Sequence, residues 1–270
     1  MFQRASKKQS KLRLLLEGPS GSGKTFSALT LASGLGKKVA VLDTEKGSAQ
    51  LYSSEFNFDV CELIPPYSPE KYTDAIKFAE EQGYDVLIID SISHEWSAEG
   101  GCLDIQSKLG GKYQDWAKVT PRHNKFVESI LQSGMHIIAT ARTKSDYGIS
   151  QSGGKMKVEK LGTKTEQRDG LEFEFTTVLR LNQNHMFEAS KDRTHLFGNK
   201  EGVLTSDHSK MLLDWLHDGI DPKKETIEKL ERCQDVEELK QIWMATSPAL
   251  RKELEGVKNA VKAQLIKEAA

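Results

Sequence analysis

The chain has 270 residues, 37% of them hydrophobic and 29% charged, enough for one large domain, or a domain with an appendage, around a sizeable core. A formal net charge of -1 excludes a globally basic nucleic-acid-binding protein, so any such surface must be local. No stretch approaches the roughly 18 apolar residues of a membrane span, the basic start lacks a signal peptide's apolar core, and the widely spaced Cys61, Cys102 and Cys233 fit a reducing cytoplasm and predict neither a disulfide framework nor a zinc site.

In chain order, residues 1–11 read as a basic tail, expected to be disordered. Residues 11–16 read as a short buried strand and 25–34 as the helix that follows it. Between them, Gly18, Pro19, Ser20, Gly21, Ser22, Gly23, Lys24 and Thr25 match the pattern G-x-x-x-x-G-K-[ST] without departure. Such glycines let backbone N–H groups turn toward phosphates, Lys24 brings a cation to the outer ones, and the Thr25 hydroxyl suits Mg²⁺. The strand-loop-helix context also aims a helix N-terminus at the anion. ATP and Mg²⁺ are the expected ligands.

Residues 38–43 give a second strand, 69–82 a helix, and 85–90 a buried strand that closes in an acid, Asp90. Downstream of Lys24, that acid is placed to hold the hydration shell of Mg²⁺. The next residue is Ser91, so the group that orients the attacking water must come from elsewhere. Glu45, at the carboxyl lip of the second strand, is the candidate; the alternative is that Asp43 and Glu45 only cap a loop. His94 either reports on nucleotide state or is a hydrogen-bonded structural histidine.

Residues 97–118 carry Tyr113 and Trp116, just after Trp96, interleaved with Lys108 and Lys112. That composition suits stacking of single-stranded bases, with Trp116 equally readable as core. Residues 115–132 predict a helix interrupted or restarted at Pro121, and 135–140 a fourth strand. The segment 144–170, rich in glycine, serine and lysine, reads as a long mobile loop. Its Lys144, Lys155, Lys157, Lys160 and Lys164 could neutralise phosphates and Tyr147 could stack on a base. Residues 172–181, 185–191 and 194–197 read as strands and 206–216 as a closing helix.

Strands alternating with helices predict an α/β fold with a mainly parallel sheet over 12–217. After a polar connector, 223–270 reads as a small C-terminal helical appendage, with Leu250, Leu254, Val257, Val261 and Leu265 on one apolar face. It is either a packed appendage or a partner-docking module.

The order of P-loop, Asp43-x-Glu45, Asp90-Ser91 and a polar-ended fourth strand resembles the RecA/RadA recombinase core. More narrowly, residues 41–49, 90–94, 167–175 and 190–193 resemble the phage-encoded P-loop ATPases classed as AAA-type or Sak-family, some of which are single-strand annealing recombinases. The resemblance covers 11–215 and implies a RecA-like ATPase that binds single-stranded DNA as a homo-oligomeric ring or filament. It also implies a single-strand-binding protein as a companion, a bacterial host's cytoplasm as the setting, and no membrane. Carried onto this sequence, it makes Glu45 the water-activating acid and Thr140 or Arg142 the γ-phosphate sensor. Lys191 and Arg193 become basic residues that complete a neighbour's ATP site, and Phe2 and Ala5 a plug into the next protomer. The alternatives are a charged turn at 191–193 and an unstructured tail. Two rival functions are a nucleotide-gated adaptor or loader with slow hydrolysis and a small-molecule P-loop kinase; the kinase predicts an acceptor pocket and lid arginines, where the chain offers Glu45 in the hydrolytic position and a long basic loop.

Overall fold

The computed structural model describes residues 4–152, 155–198 and 200–268, and the side chains of these except 147–161 and 268. In chain order the elements are β1 (Arg13–Gly18), α1 (Lys24–Leu35), β2 (Val39–Asp43), β3 (Asp59–Glu62), α2 (Pro69–Glu81), β4 (Val86–Asp90), α3 (Ser93–Ser97), α4 (Cys102–Lys108) and α5 (Trp116–Gln132). There follow β5 (His136–Ser152), β6 (Lys155–Thr165), β7 (Thr177–Leu181), β8 (Met186–Asp192), β9 (Glu201–Val203), α6 (Ser206–His217), α7 (Pro222–Arg232), α8 (Val236–Ala245) and α9 (Pro248–Glu268).

The fold is mixed α/β with a mostly parallel central sheet in the order β3-β2-β4-β5-β1-β7-β8-β9, as in a RecA-like P-loop core. β1, β2 and β4 are buried at every residue, because helices cover both faces of a parallel sheet and its strands become near-continuous apolar runs. Alternation along β1 sends Leu14 and Leu16 to one core, with Leu29 of α1 and Leu212 and Leu216 of α6. Leu15 goes to the other, with Tyr72 and Ile76 of α2 and Phe126 and Ile130 of α5.

Several expectations change. Residues 144–165 are not a loop: β5 runs on from the core and pairs antiparallel with β6, from Thr143↔Thr165 to Ser152↔Lys155, with a bulge at Asp146 and Tyr147, and only 166–170 remain irregular. The period-two pattern Met156, Val158 between lysines was a strand signal that the polar composition hid. Residues 194–197 are a turn, because Asp192 accepts hydrogen bonds from the backbone N–H groups of Thr194 and Phe197 at 2.8 Å each. Local side-chain bonding outcompetes a strand ladder there. β7 starts only at Thr177, after a short helical turn over Leu171–Phe173 that Gly170 enters at φ 91°. Pro121 lies inside α5 without ending it. The basic tail is docked over its described part: Lys8 bridges Ile220, and the Gln9 N–H donates to the Ile220 carbonyl at 2.9 Å. Helices α7 to α9 share a small core of Leu230, Cys233 and Leu239 against Trp243, Val257, Val261 and Leu265.

Candidate functional site

The carboxyl ends of the parallel strands meet in one row. Register pairs Leu16 with Thr140 and Gly18 with Arg142 across β1 and β5, and Asp43 with Asp90 across β2 and β4. The loop between β1 and α1 turns on Gly21 and Gly23, at φ 77° and 81°, a region that glycine enters without strain. A Cβ on Gly18 would stand 2.5 Å from the Leu181 carbonyl oxygen, so the loop closes tightly on β7. The Lys24 ammonium donates to the Gly18 and Pro19 carbonyls at 2.9 and 2.8 Å. Burial pulls its pKa below the ordinary lysine value, against the pull of Asp90.

At the floor, the Thr25 hydroxyl donates to Asp90 Oδ2 and the Thr140 hydroxyl to Asp90 Oδ1, each at 2.5 Å. Asp90 is buried and its pKa is raised by desolvation, which outweighs those two bonds. Thr25 and Asp90 thus bring hydroxyl and carboxylate oxygens together, the donor set that a hard divalent cation takes. With the glycine turn above them, they line a cavity of about 400 Å³ shared with Ser20, Ser48, Tyr52, Glu45 and Arg142. The residues fit a Mg²⁺-nucleotide. Thr140, expected at the γ-phosphate, is instead fully buried behind Asp90 and does not line this cavity. Its hydroxyl is spent in orienting the acid, and Arg142 is the residue on the wall.

Arg142 grips Glu45 in a two-point ion pair, Nε to Oε1 at 3.0 Å and Nη2 to Oε2, while the Ser91 hydroxyl donates to Oε1 at 3.1 Å. Burial pushes the Glu45 carboxyl up, but Arg142, His94 and Ser91 outweigh it and hold its pKa below the usual glutamate value. The capping alternative divides between the two acids: Asp43 accepts the Glu45 and Ala49 N–H groups at 2.6 and 3.3 Å, whereas Glu45 faces the cavity. His94 bonds the Thr44 hydroxyl at 2.6 Å and stacks on Tyr67 at 5.1 Å, and burial lowers its pKa.

Lys191 and Arg193 lie outside this cavity, against the carbonyl of Phe173. Lys144 is exposed, and Lys164 pairs with Asp169 at 2.7 Å. Lys155, Lys157, Lys160 and Tyr147 have backbone on the hairpin, with side chains outside the described residues, as is the whole of Phe2; Ala5 is exposed. Trp96 and Trp116 stack at 5.4 Å, half-buried, beside Tyr113, which is 92% exposed. They line a cavity of about 550 Å³ with Arg168, which also borders a second one of about 600 Å³ at Lys164 and Lys191. Sequence reasoning gave no role to Ser48 or Tyr52, which carry no motif, and read Ser91 only as the residue standing in place of an acid after Asp90. Nor did it find Glu95, Cys102 and His123, buried together between α3, α4 and α5 with the Cys102 thiol pushed up by burial and by Glu95. The cysteines are free.

A family model described as an AAA domain matches residues 10–211, and the chain belongs to that family. No curated protein matches it. Among the described residues, no helix is long and apolar enough to cross a membrane.

Proposed function

We propose that this chain is an ATP-hydrolysing, single-stranded-DNA-binding protein of the phage annealing-recombinase type, its membership of the AAA-domain family supporting the ATPase part. It acts as a homo-oligomeric ring or filament in the cytoplasm of a bacterial host, beside a single-strand-binding protein. The observation that carries the ATPase reading is the Thr25–Asp90 contact under a glycine cradle, with Glu45 and Arg142 paired at its lip. The DNA reading rests on the resemblance, the lysine-bearing hairpin and the exposed aromatic cavity.

The backbone N–H groups around Gly21 and Gly23 point the phosphates into the cavity, and Lys24 exchanges the Gly18 and Pro19 carbonyls for the outer phosphate oxygens. Thr25 and Asp90 would hold Mg²⁺, which when bound would neutralise charge on the transferred phosphoryl group. Arg142 has one guanidinium to share between Glu45 and the γ-phosphate. When it turns to the phosphate, Glu45 is released as a carboxylate to accept a hydrogen bond from the attacking water, and Arg142 stabilises the charge that develops. The phosphorus–oxygen bond to ADP breaks, and inorganic phosphate leaves.

The test is ATP hydrolysis by the purified protein with and without single-stranded DNA, alongside Glu45→Gln. Stimulation by DNA that the variant loses, with nucleotide binding retained, supports the reading. DNA-indifferent or negligible turnover sinks it in favour of a nucleotide-gated adaptor that docks replication or recombination partners. The observation favouring that second reading is the Arg142 clamp itself, which keeps the water-orienting acid engaged.

A further inference from the structure

Among the described residues, one group of three metal-ligating side chains stands apart from the nucleotide cavity: Glu95 on α3, Cys102 at the start of α4 and His123 on α5. Their ligand atoms lie within 4.8 Å of one another, and the residues are 0, 0 and 3% exposed. The two shorter helices they join bury few residues of their own. α3 and α4 are five and seven residues long, and their only buried residues are Ser93, Glu95 and Cys102. No aliphatic side chain of either helix is buried, so the trio joins the Trp96–Trp116 stack in tying the segment after β4 to α5.

The contacts converge on one carboxylate. Cys102 Sγ lies 3.0 Å from Glu95 Oε1, and His123 Nδ1 lies 3.1 and 3.2 Å from the two Glu95 oxygens. The Gln167 amide donates to Glu95 Oε2 at 3.1 Å and to the Ile92 carbonyl at 2.9 Å. A fully buried carboxylate is thus bonded to a thiol, an imidazole and an amide, with no lysine or arginine among its partners. Such a charge is costly in a dry interior without a cation beside it, and a charged His123 or a metal ion are the two that this cluster can hold.

We propose that Glu95, Cys102 and His123 bind a single Zn²⁺ that staples the helices following β4 onto α5. Charge balance carries the assignment: a thiolate and a carboxylate cancel the doubly charged ion, the imidazole binds neutral, and the buried unit has no net charge. On binding, the Cys102 S–H bond breaks, its proton goes to solvent, and the sulfur lone pair forms the metal bond with no change of oxidation state. One sulfur, one nitrogen and one oxygen donor select zinc over Mg²⁺ or Ca²⁺, which take oxygen sets such as Thr25 with Asp90. Three protein ligands are one short of the closed four-ligand set of most structural zinc sites, so the fourth position falls to a water. Gln167 orients the carboxylate from outside, as partners of metal-bound carboxylates do. Trp96, next to Glu95 in the chain, packs its ring at 5.5 Å from the His123 ring and stacks on Trp116, so the staple also sets the aromatic cavity.

The experiment uses the full chain, expressed in zinc-supplemented medium and purified without chelator or metal-affinity resin, with metal content read by plasma emission. About one zinc per chain is expected, as for a single structural site. The stripped protein, titrated with Co²⁺, should bind it with a thiolate-to-cobalt charge-transfer band. Cys102→Ser should abolish that band and weaken binding at least roughly a hundredfold while an ATP analogue still binds. Gln167→Leu should weaken it about ten- to a hundredfold and keep the band. If Cys102→Ser does not fold, the unmutated protein still decides. A chain that carries no zinc and gives no cobalt band overturns the proposal and leaves a hydrogen-bonded core cluster. Zinc or cobalt bound without a sulfur signature, or equally by Cys102→Ser, overturns it too.

Discussion

At the residue scale, the lip of the nucleotide cavity concentrates two opposite demands on Arg142. Bound to Glu45 it holds the acid ionised and occupied; moved to the γ-phosphate it would neutralise transition-state charge. Arg142→Ala is expected to leave ATP binding nearly intact and to lower kcat about a hundred- to a thousandfold, the scale of losing one preorganised donor. Unchanged turnover would move the sensing role to another side chain. His136 offers a test of a different kind, because it is buried and accepts the Leu12 N–H at 3.1 Å through Nδ1. Burial, with Lys11, Arg13 and His217 adding positive charge, lowers its pKa to about 3. The unfolded chain titrates near 6.5, so this contribution to stability is whole above that pH and is lost as pH falls toward the folded value. Between about pH 7 and pH 5 the loss amounts to about 2 kcal/mol from this group. Urea midpoints at the two pH values should diverge less in His136→Asn, whose side-chain oxygen can take the same N–H; an equal divergence would assign the acid sensitivity elsewhere.

At the element scale, the β5–β6 hairpin is the feature most altered between sequence and structure. It is an extension of a core strand, so the base of the hairpin is fixed by the sheet. The buried Glu17 of β1 anchors that base, bonding the Thr165 hydroxyl and pairing with Arg180 at 2.6 Å. Replacing residues 146–162 by a two-residue Asn-Gly turn should preserve ATP binding. It should also reduce the slope of log affinity against log salt for single-stranded DNA, by about 0.7 for each phosphate contact removed. A slope that does not move would take the hairpin out of the interface. The composition of 144–170 hid the strands because lysine, serine and glycine are poor strand formers, and pairing with a partner strand overrides such preferences.

At the scale of the whole molecule, Lys191 and Arg193 sit on the antiparallel side of the sheet, outside this chain's own nucleotide cavity. If they complete a neighbour's site, Glu45→Gln and the double variant Lys191→Ala, Arg193→Ala should each be nearly inactive alone. Mixed, they should regain part of the turnover, because a hybrid interface pairs an intact Glu45 with intact cations. Mixtures no more active than their components would confine both basic residues to a structural role. The same scale explains the tail: residues 7–10 bond the end of α6 and the segment before α7, so they are anchored where the helical appendage begins.

What the sequence determined by itself was everything encoded locally. The P-loop, the buried strands ending in Asp43 and Asp90, the helix after Lys24 and the apolar face of α9 are each written in a few consecutive residues or one period. Relations between distant segments came from packing alone. These are the union of Glu45 with Arg142, the burial of Thr140 behind Asp90, the pairing that makes a hairpin of 143–165, and the meeting of Glu95, Cys102 and His123. Spacing along the chain holds no record of such contacts, because they are set by which strand ends and helix faces the packed sheet brings together.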